Sequence, residues 1–358
     1  VSNPAFLPGT PQCPLATAHL PGLGGQLGPE FADFLVDEIP AYAPSGEGDH
    51  WFVRLRKRDL TTEFACRQLA RAAGIQLRDM GIAGRKDRRA ITTQWISMPV
   101  EPVDPEREGL EILETVRHEK KLRRGHVRGN RFTIRVVNLD PAAAERLPAL
   151  LEQINAGVPN YFGEQRFGRA NVERALSMLD TRRRSKDDRF LASALQSAVF
   201  NHWLGARVQR GDLGIALEGD VMKKRLTGGL FDCVEPEVDS PRVASGEIDP
   251  TGPMVGPKMW PTTAAAAAFE AESTVACGLD DEKRAQKLGK LAAGTRRVAR
   301  LVPDDLKVEI DGDSAVVQFT LRAGSYATII LAELLHPEGP LRQDLPRPTP
   351  VVSDETAP

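Results

Sequence analysis

The sequence predicts an α+β fold in which a mostly helical domain interrupts a strand-rich one. Three features of the chain lead there. Strand-like alternation dominates the first part, a mainly helical pattern runs from about 171 to 300, and strand pattern returns from 306 to 322. At 358 residues the chain is long enough for two domains. The expected division is 1–156 for the first part of one domain, 157–303 for the insert and 304–358 for the second part, with a disordered tail from about 337.

Residues 1–28 are rich in Pro and Gly and read as an arm or loop. FADFLVDEI, 31–39, reads as a short strand containing Phe34, and SGEGDH, 45–50, as a turn. WFVRLR, 51–56, alternates, with Trp51, Val53 and Leu55 on one face and Arg54 and Arg56 on the other. A helix follows over about 62–73, with Thr61 or Thr62 near its cap and Gly74 as its stop. ITTQWIS, 91–97, is rich in β-branched residues and reads as a strand. RHEKKLRRGHVRGNRFTIR, 117–135, carries eight Lys or Arg against one acid, Glu119. Gly125 and Gly129 break it into a loop before RFTIRVV alternates as a strand. Asp140-Pro141 starts a helix to about 155, with Ala144, Leu147, Leu151 and Ile154 on one stripe and Gly157 beyond its end. GVPNYFGEQRFGR, 157–169, is a turn-rich linker. Helices are expected over 188–208, with Leu191, Leu195, Val199 and Ala206 on a stripe, and over 262–276 and 280–292, with TGPMVGPKMWP, 251–261, as a loop. LKVEI and AVVQFTLR form a hairpin through Asp311-Gly312-Asp313, and a helix from about Ser325 to Leu335 ends the ordered chain.

With 41% apolar and 27% charged residues, the composition is that of an ordinary soluble protein. No apolar run approaches the roughly 20 residues needed to span a bilayer, and no secretory signal is visible. Cys13, Cys66, Cys233 and Cys277 are scattered without a CxxC pair, which argues against a disulfide framework and fits a reducing cytoplasm. The six histidines show no ligand spacing, so no metal is expected. GIAGRKD lacks the spacing and the Ser or Thr of a P-loop, no GxGxxG is present, and no Ser or Cys triad motif appears. Net charge is −2. Cations nevertheless cluster at 54–58, 85–89, 117–135 and 182–189, as expected of a neutral protein with a basic face.

The stretch that concentrates chemistry is GIAGRKDRRAITTQWIS, 81–97, where Asp87 sits among Arg85, Lys86, Arg88 and Arg89. Gly81 and Gly84 free the backbone for a tight loop, and the cations favour the charged form of the carboxylate. One reading is a salt-bridged surface turn; the other is an acid facing a polyanion held by its basic neighbours. Basic loops neutralise phosphates, and aromatics stack on unpaired bases. Phe132, beside Asn130, is one such platform, although it also continues the apolar alternation of Ile134 and Val136, and Phe34 shares that ambiguity.

Five stretches together resemble the TruD family of tRNA pseudouridine synthases: DFLVDEIPAYAPSGEGDH, AGRKDRRAITTQW, RHEKKLRRGHVRGNRF, GVPNYFGEQRFG and AGSYAT at 323–328. Their order fits, over roughly 29–335. The resemblance implies a pseudouridine-synthase catalytic domain with a mixed, mainly antiparallel sheet and a family-specific helical insert. It implies that Asp87 is the essential aspartate, with Lys86 as its basic neighbour, and that Phe34, Asn130 and Phe132 contact substrate. Tyr326 stands where the family often has phenylalanine. The implied reaction converts uridine, at position 13 of tRNA, to pseudouridine without cofactor or metal. Phosphate contacts are expected from Arg85, Arg88, Lys120, Lys121, Arg123, Arg124 and Arg128. The alternatives are a non-catalytic RNA-binding or tRNA-folding protein and a nucleotide-handling enzyme with another base target. Subunit number is not readable; a monomer is compatible with the sequence.

Overall fold

The computed structural model describes residues 13–163, 166–168, 170–181, 185–339 and 341. Most of the expected arm, part of the 182–189 cationic cluster and most of the proline-rich tail lie outside these residues.

The chain opens with β1 (Gly24–Leu27) and a single 3-10 turn, Phe31–Asp33, which leads into β2 (Phe34–Pro40). The expected strand therefore starts three residues late, because the Asp33 side chain closes the turn by accepting from the Glu30 N–H. β3 (His50–Arg58) precedes α1 (Thr62–Ala72), whose first turn is capped by Thr61 Oγ1 accepting from Phe64 N–H. β4 (Gly81–Ile82), β5 (Ile91–Met98), β6 (Leu110–His118) and β7 (Val127–Leu139) follow. Gly129 lies inside β7, paired with Ile39, and does not break the chain.

α2 (Ala143–Ala156) buries Ala143, Leu150 and Ile154 and leaves Ala144 exposed, so its apolar stripe is rotated from the one expected. β8 (Val158–Pro159), α3 (Asn171–Asp180) and the long α4 (Asp188–Gln209) come next. Leu191, Leu195 and Val199 are buried on α4 as the periodicity predicts. The segment expected to be mainly helical then forms β9 (Val221–Lys224), β10 (Leu230–Asp232), α5 (Pro236–Ala244), β11 (Ile248–Met254), α6 (Ala264–Ala276), α7 (Glu282–Leu291) and β12 (Thr295–Val298). Thr251–Met254, read from sequence as loop, is thus part of a fully buried strand. Pro250 and Pro253 disguise it, yet the Pro250 carbonyl still accepts from Ala299 N–H. Gly252 is required there, because a Cβ would come within 2.3 Å of the Trp203 ring on α4. The chain closes with β13 (Arg300–Leu301), β14 (Asp304–Asp311), β15 (Ser314–Arg322) and α8 (Ala327–Leu335).

Two compact units result. The first is built from Gly24–Asp140 and Lys307–Gln318, with the described part of the segment from Pro337. It holds the large mixed sheet, with strand order β14-β15-β7-β2-β5-β3-β6, β1 added to β7 and β4 to β5. β2 and β5 run parallel, whereas β1–β7, β2–β7, β3–β5, β3–β6 and β4–β5 are antiparallel. α1 packs on this sheet through Ala65, Cys66, Leu69 and Ala70 against Val53, Leu55 and Ile96. The second unit comprises Pro141–Leu306 and Phe319–His336 with the described part of the segment ending at Leu23. It holds the sheet β10-β9-β11-β12 and the helices α2 to α8, with Phe200, Trp203 and Leu204 of α4 in its core. No helix among the described residues is long and apolar enough to cross a membrane.

Candidate active site

Asp87 lies on the connection from β4 to β5, and its main chain is held on both sides. The N–H of Lys86 donates to Thr62 Oγ1 at 2.9 Å, and Thr62 donates to Gln94 Oε1 at 2.8 Å. The carbonyl of Asp87 accepts from Lys57 Nζ at 2.7 Å. Its carboxylate is exposed and has no hydrogen-bond or ion-pair partner among the described residues. Two of the surrounding cations are engaged elsewhere. Lys86 Nζ is taken by the buried Glu38 carboxylate, and Arg88 Nε by Asp59 Oδ1 at 2.9 Å. The salt-bridged turn and the exposed acid, posed as alternatives by the sequence, are both there: Lys86 and Arg88 pair elsewhere, and the acid is left exposed.

Cross-strand register aligns the groups beneath this loop. Lys57 of β3 is opposite Thr92 of β5, Thr92 beside Val36 of β2, and Val36 opposite Phe132 of β7. Two residues along, Leu55 is opposite Gln94 and Glu38 opposite Asn130, while Phe34 is opposite Ile134. Directly paired residues project from the same side, so one sheet face carries Lys57, Thr92, Gln94, Glu38, Asn130, Phe34 and Phe132. Phe34 and Phe132 meet edge to face at 6.3 Å between centroids, each 7% exposed. Glu38 Oε1 accepts from Trp95 N–H at 3.1 Å, so its carboxylate bridges β5 and Lys86. Among the described residues, Asn130 Oδ1 and Thr92 Oγ1 are buried without a hydrogen-bond partner. Buried polar atoms in that condition are uncommon in native proteins and point to a missing partner. Lys57 is fully buried, which pushes its ammonium down to about 8; the charge of Asp87 opposes that shift and the charge of Lys86 adds to it.

The basic loop is anchored to the same segment. Gly125 N–H donates to the Ala83 carbonyl at 2.9 Å, and Leu122 N–H to Ser97 Oγ at 2.8 Å. Lys120, Arg123, Arg124 and Arg128 are exposed, as is Arg85, while Lys121 Nζ donates to the Arg78 carbonyl. Among the described residues, no group of three or more His, Cys, Asp or Glu could hold a metal ion.

Tyr326 belongs to the second unit, at the start of α8. Its ring meets Phe162 edge-on at 6.2 Å, and the Gly163 backbone approaches it closely enough that a Cβ would lie 3.2 Å from the ring. Arg297 stacks 4.0 Å above Phe162 and donates to Asn160 Oδ1, the Asn160 carbonyl and the Gly324 carbonyl. Burial pulls the Arg297 guanidinium down to about 10, so it remains charged at neutral pH. The structure thus groups Phe34, Lys86, Asp87, Asn130 and Phe132 in one unit and places Tyr326 in the other.

Sequence reasoning missed Lys57, Glu38, Thr92, Gln94 and Arg297. The signal for the first was available: continuing the Trp51, Val53, Leu55 alternation puts Lys57 on the apolar face. Glu38 follows Phe34 and Val36 in the same way. A charge at a core-phase position is rarely idle.

A family model for tRNA pseudouridine synthase D (TruD) matches residues 13–177 and 169–334. A tRNA pseudouridine synthase D from Anaeromyxobacter sp. (strain Fw109-5) is 46% identical over 337 residues, covering 90% of this chain and 95% of that protein. One from Thermus thermophilus is 36% identical over 336 residues, covering 91% and 92%. A solved structure assigned to tRNA pseudouridine synthase D of Methanosarcina mazei superposes with a TM-score of 0.70 at 24% identity, covering 89% of this chain and 95% of that one. That likeness shows the fold, a mixed α+β architecture built on a large mixed sheet. With most of its length matched by the family model, this chain belongs to the TruD family.

Proposed function

We propose that this protein isomerises uridine to pseudouridine in tRNA, at position 13, with Asp87 as the reacting carboxylate. The observation that carries this reading is the state of Asp87. Lys57 holds its carbonyl and Thr62 holds the N–H of the residue before it, while its carboxylate is left exposed and unpaired among the described residues. A structural aspartate in such a cationic loop would be expected to take up one of its neighbours.

The reaction breaks the N1–C1′ bond, turns the uracil and joins C5 to C1′; C5 then gives up its proton and N1 gains one. Positive character at C1′ is what an anionic carboxylate stabilises or captures. The base must leave its stack to be reached. Phe34 and Phe132 offer it aromatic edges, and the orphan Asn130 Oδ1 offers an acceptor to a ring N–H. Lys86 acts from its buried pairing with Glu38, keeping the loop in place. Arg85, Arg88, Lys120, Lys121, Arg123, Arg124 and Arg128 contact phosphates, and Tyr326 presents a ring to RNA from the second unit.

Incubating the protein with an unmodified tRNA transcript and mapping carbodiimide adducts by reverse transcription tests the reading. A single stop at uridine 13 is expected. Tight binding with no adduct would favour a non-catalytic RNA-binding protein. Adducts only at another position would keep the synthase and overturn the site.

A further inference from the structure

We propose that Lys57 is a positioning residue for the reaction at Asp87, acting as the only buried charge that reaches the Asp87 main chain among the described residues. The proposal rests on the reading of Asp87 as the reacting group. Three features carry it. Lys57 is wholly buried, although an ammonium is costly to bury unless it is compensated. Its one hydrogen bond among the described residues goes to the Asp87 carbonyl, so two of its three N–H donors have no protein acceptor there. It stands directly across from Thr92, whose buried hydroxyl is also without a partner.

A lysine that served only the core would be replaced without loss by an apolar side chain. Here the long stem runs past Thr92 along the sheet face and delivers its head to the residue whose carboxylate is exposed. The bond to the carbonyl fixes where the Asp87 Cα sits, and through it the direction of the carboxylate. The positive charge also lies close enough to the Asp87 carboxylate to interact with it. The charged groups facing Lys57 are Asp87 and Lys86 on the loop, with Glu38 of β2 behind Lys86. Glu38 and Lys86 compensate each other, which leaves Asp87 as the counter-charge. Burial brings the Lys57 ammonium down to about 8, so its charge is lost just above neutral pH.

Two variants separate the bond from the charge. Lys57→Gln keeps an N–H donor and Lys57→Met keeps neither. Single-turnover conversion of tRNA is measured across pH 6 to 10, with tRNA binding and thermal melting as controls. Wild-type protein should lose rate as pH rises through about 8. Lys57→Met should lower the rate constant about a hundredfold at pH 7, with tRNA affinity within threefold. Lys57→Gln should recover part of that loss and show no fall near pH 8. A Lys57→Met variant that melts no lower than wild type and converts tRNA at a rate within threefold of it overturns the proposal.

A readout on intact wild-type protein guards against misfolded variants. NMR of lysine labelled at Cε should find a resonance titrating near 8 that moves lower in Asp87→Asn, because the carboxylate that opposes the shift is gone. No movement in that variant overturns the electrostatic link. Should Asp87→Asn remain active while Lys57→Met is impaired, the Asp87 assignment fails and Lys57 becomes the group to reassign.

Discussion

Asp87 and Tyr326 are held in opposite ways. Around Asp87, buried charges and hydrogen bonds do the holding: Lys57 on its carbonyl, Thr62 and Gln94 on the loop before it, and Glu38 on Lys86. Around Tyr326, ring packing does it: Phe162 against the tyrosine, Arg297 stacked on Phe162, and the Gly163 backbone pressed close. The first arrangement leaves a carboxylate unpaired and immobilises its main chain. The second leaves a ring presented and immobilises its flanks. Their weak points differ accordingly: the Asp87 loop should suffer from loss of a charge, the Tyr326 flank from loss of shape.

Removing the Glu38 carboxylate should do the most damage to stability and would confirm the role of charge at the Asp87 loop. Glu38→Ala strands Lys86 and leaves Trp95 N–H without its acceptor, so it should destabilise the protein by about 3–5 kcal/mol in denaturant unfolding. Glu38→Gln keeps an acceptor for Trp95 and should cost less. Arg297→Met comes next. It keeps a flexible apolar stem on Phe162 but loses the bonds to Asn160 and Gly324, and should cost about 1–3 kcal/mol. If it proved neutral, packing alone would hold the tyrosine flank. Replacing Arg123 and Arg124 together by Ala should weaken tRNA binding and lower the salt slope by up to about 2, leaving the rate on bound tRNA unchanged. Tyr326→Phe should matter least, within about threefold in activity, since the ring contacts survive.

Lys57 adds a pH-dependent test on stability. Its folded-state value of about 8 lies below the ordinary 10.5. Between those values the unfolded chain binds the proton more, so this group makes stability rise with pH across that window. Below pH 8 the folded protein carries the whole cost of a buried charge. Lys57→Met should therefore raise the melting temperature most below pH 8, with the gain shrinking toward pH 10.5. A gain that is constant with pH would show that burial of the charge is not the cause.

How much of this was legible in the sequence depended on phase and punctuation. The α+β class with a helical insert could be read because strand alternation at 51–56 and 131–137 gives way to the long stripe of Leu191, Leu195 and Val199. The Asp87 loop was legible as a charged run ahead of a β-branched strand, but Gly81 lies in β4 rather than in the loop, where a Cβ would meet the Leu122 carbonyl at 2.3 Å. β11 was not, because its two prolines and a glycine read as loop chemistry, while the reason for the glycine, the Trp203 ring, is about fifty residues away in sequence. Lys57 belongs to the 54–58 cation cluster expected on a basic face, yet it is fully buried, whereas Arg54 and Arg56 of that cluster face outward. What decides the role of Lys57 and of Glu38 is the register between strands that are distant in sequence, such as Lys57 with Thr92 and Glu38 with Asn130. No local pattern encodes that register.

The reacting role of Asp87 can be measured with tRNA carrying tritium at uridine C5, incubated with wild type and with Asp87→Asn at matched bound fractions. Wild type should release one label to water per tRNA modified. The variant should bind within a few-fold of wild type and release label at least about ten-thousandfold more slowly. Release by Asp87→Asn at a rate near that of wild type would rule out Asp87 as the reacting group.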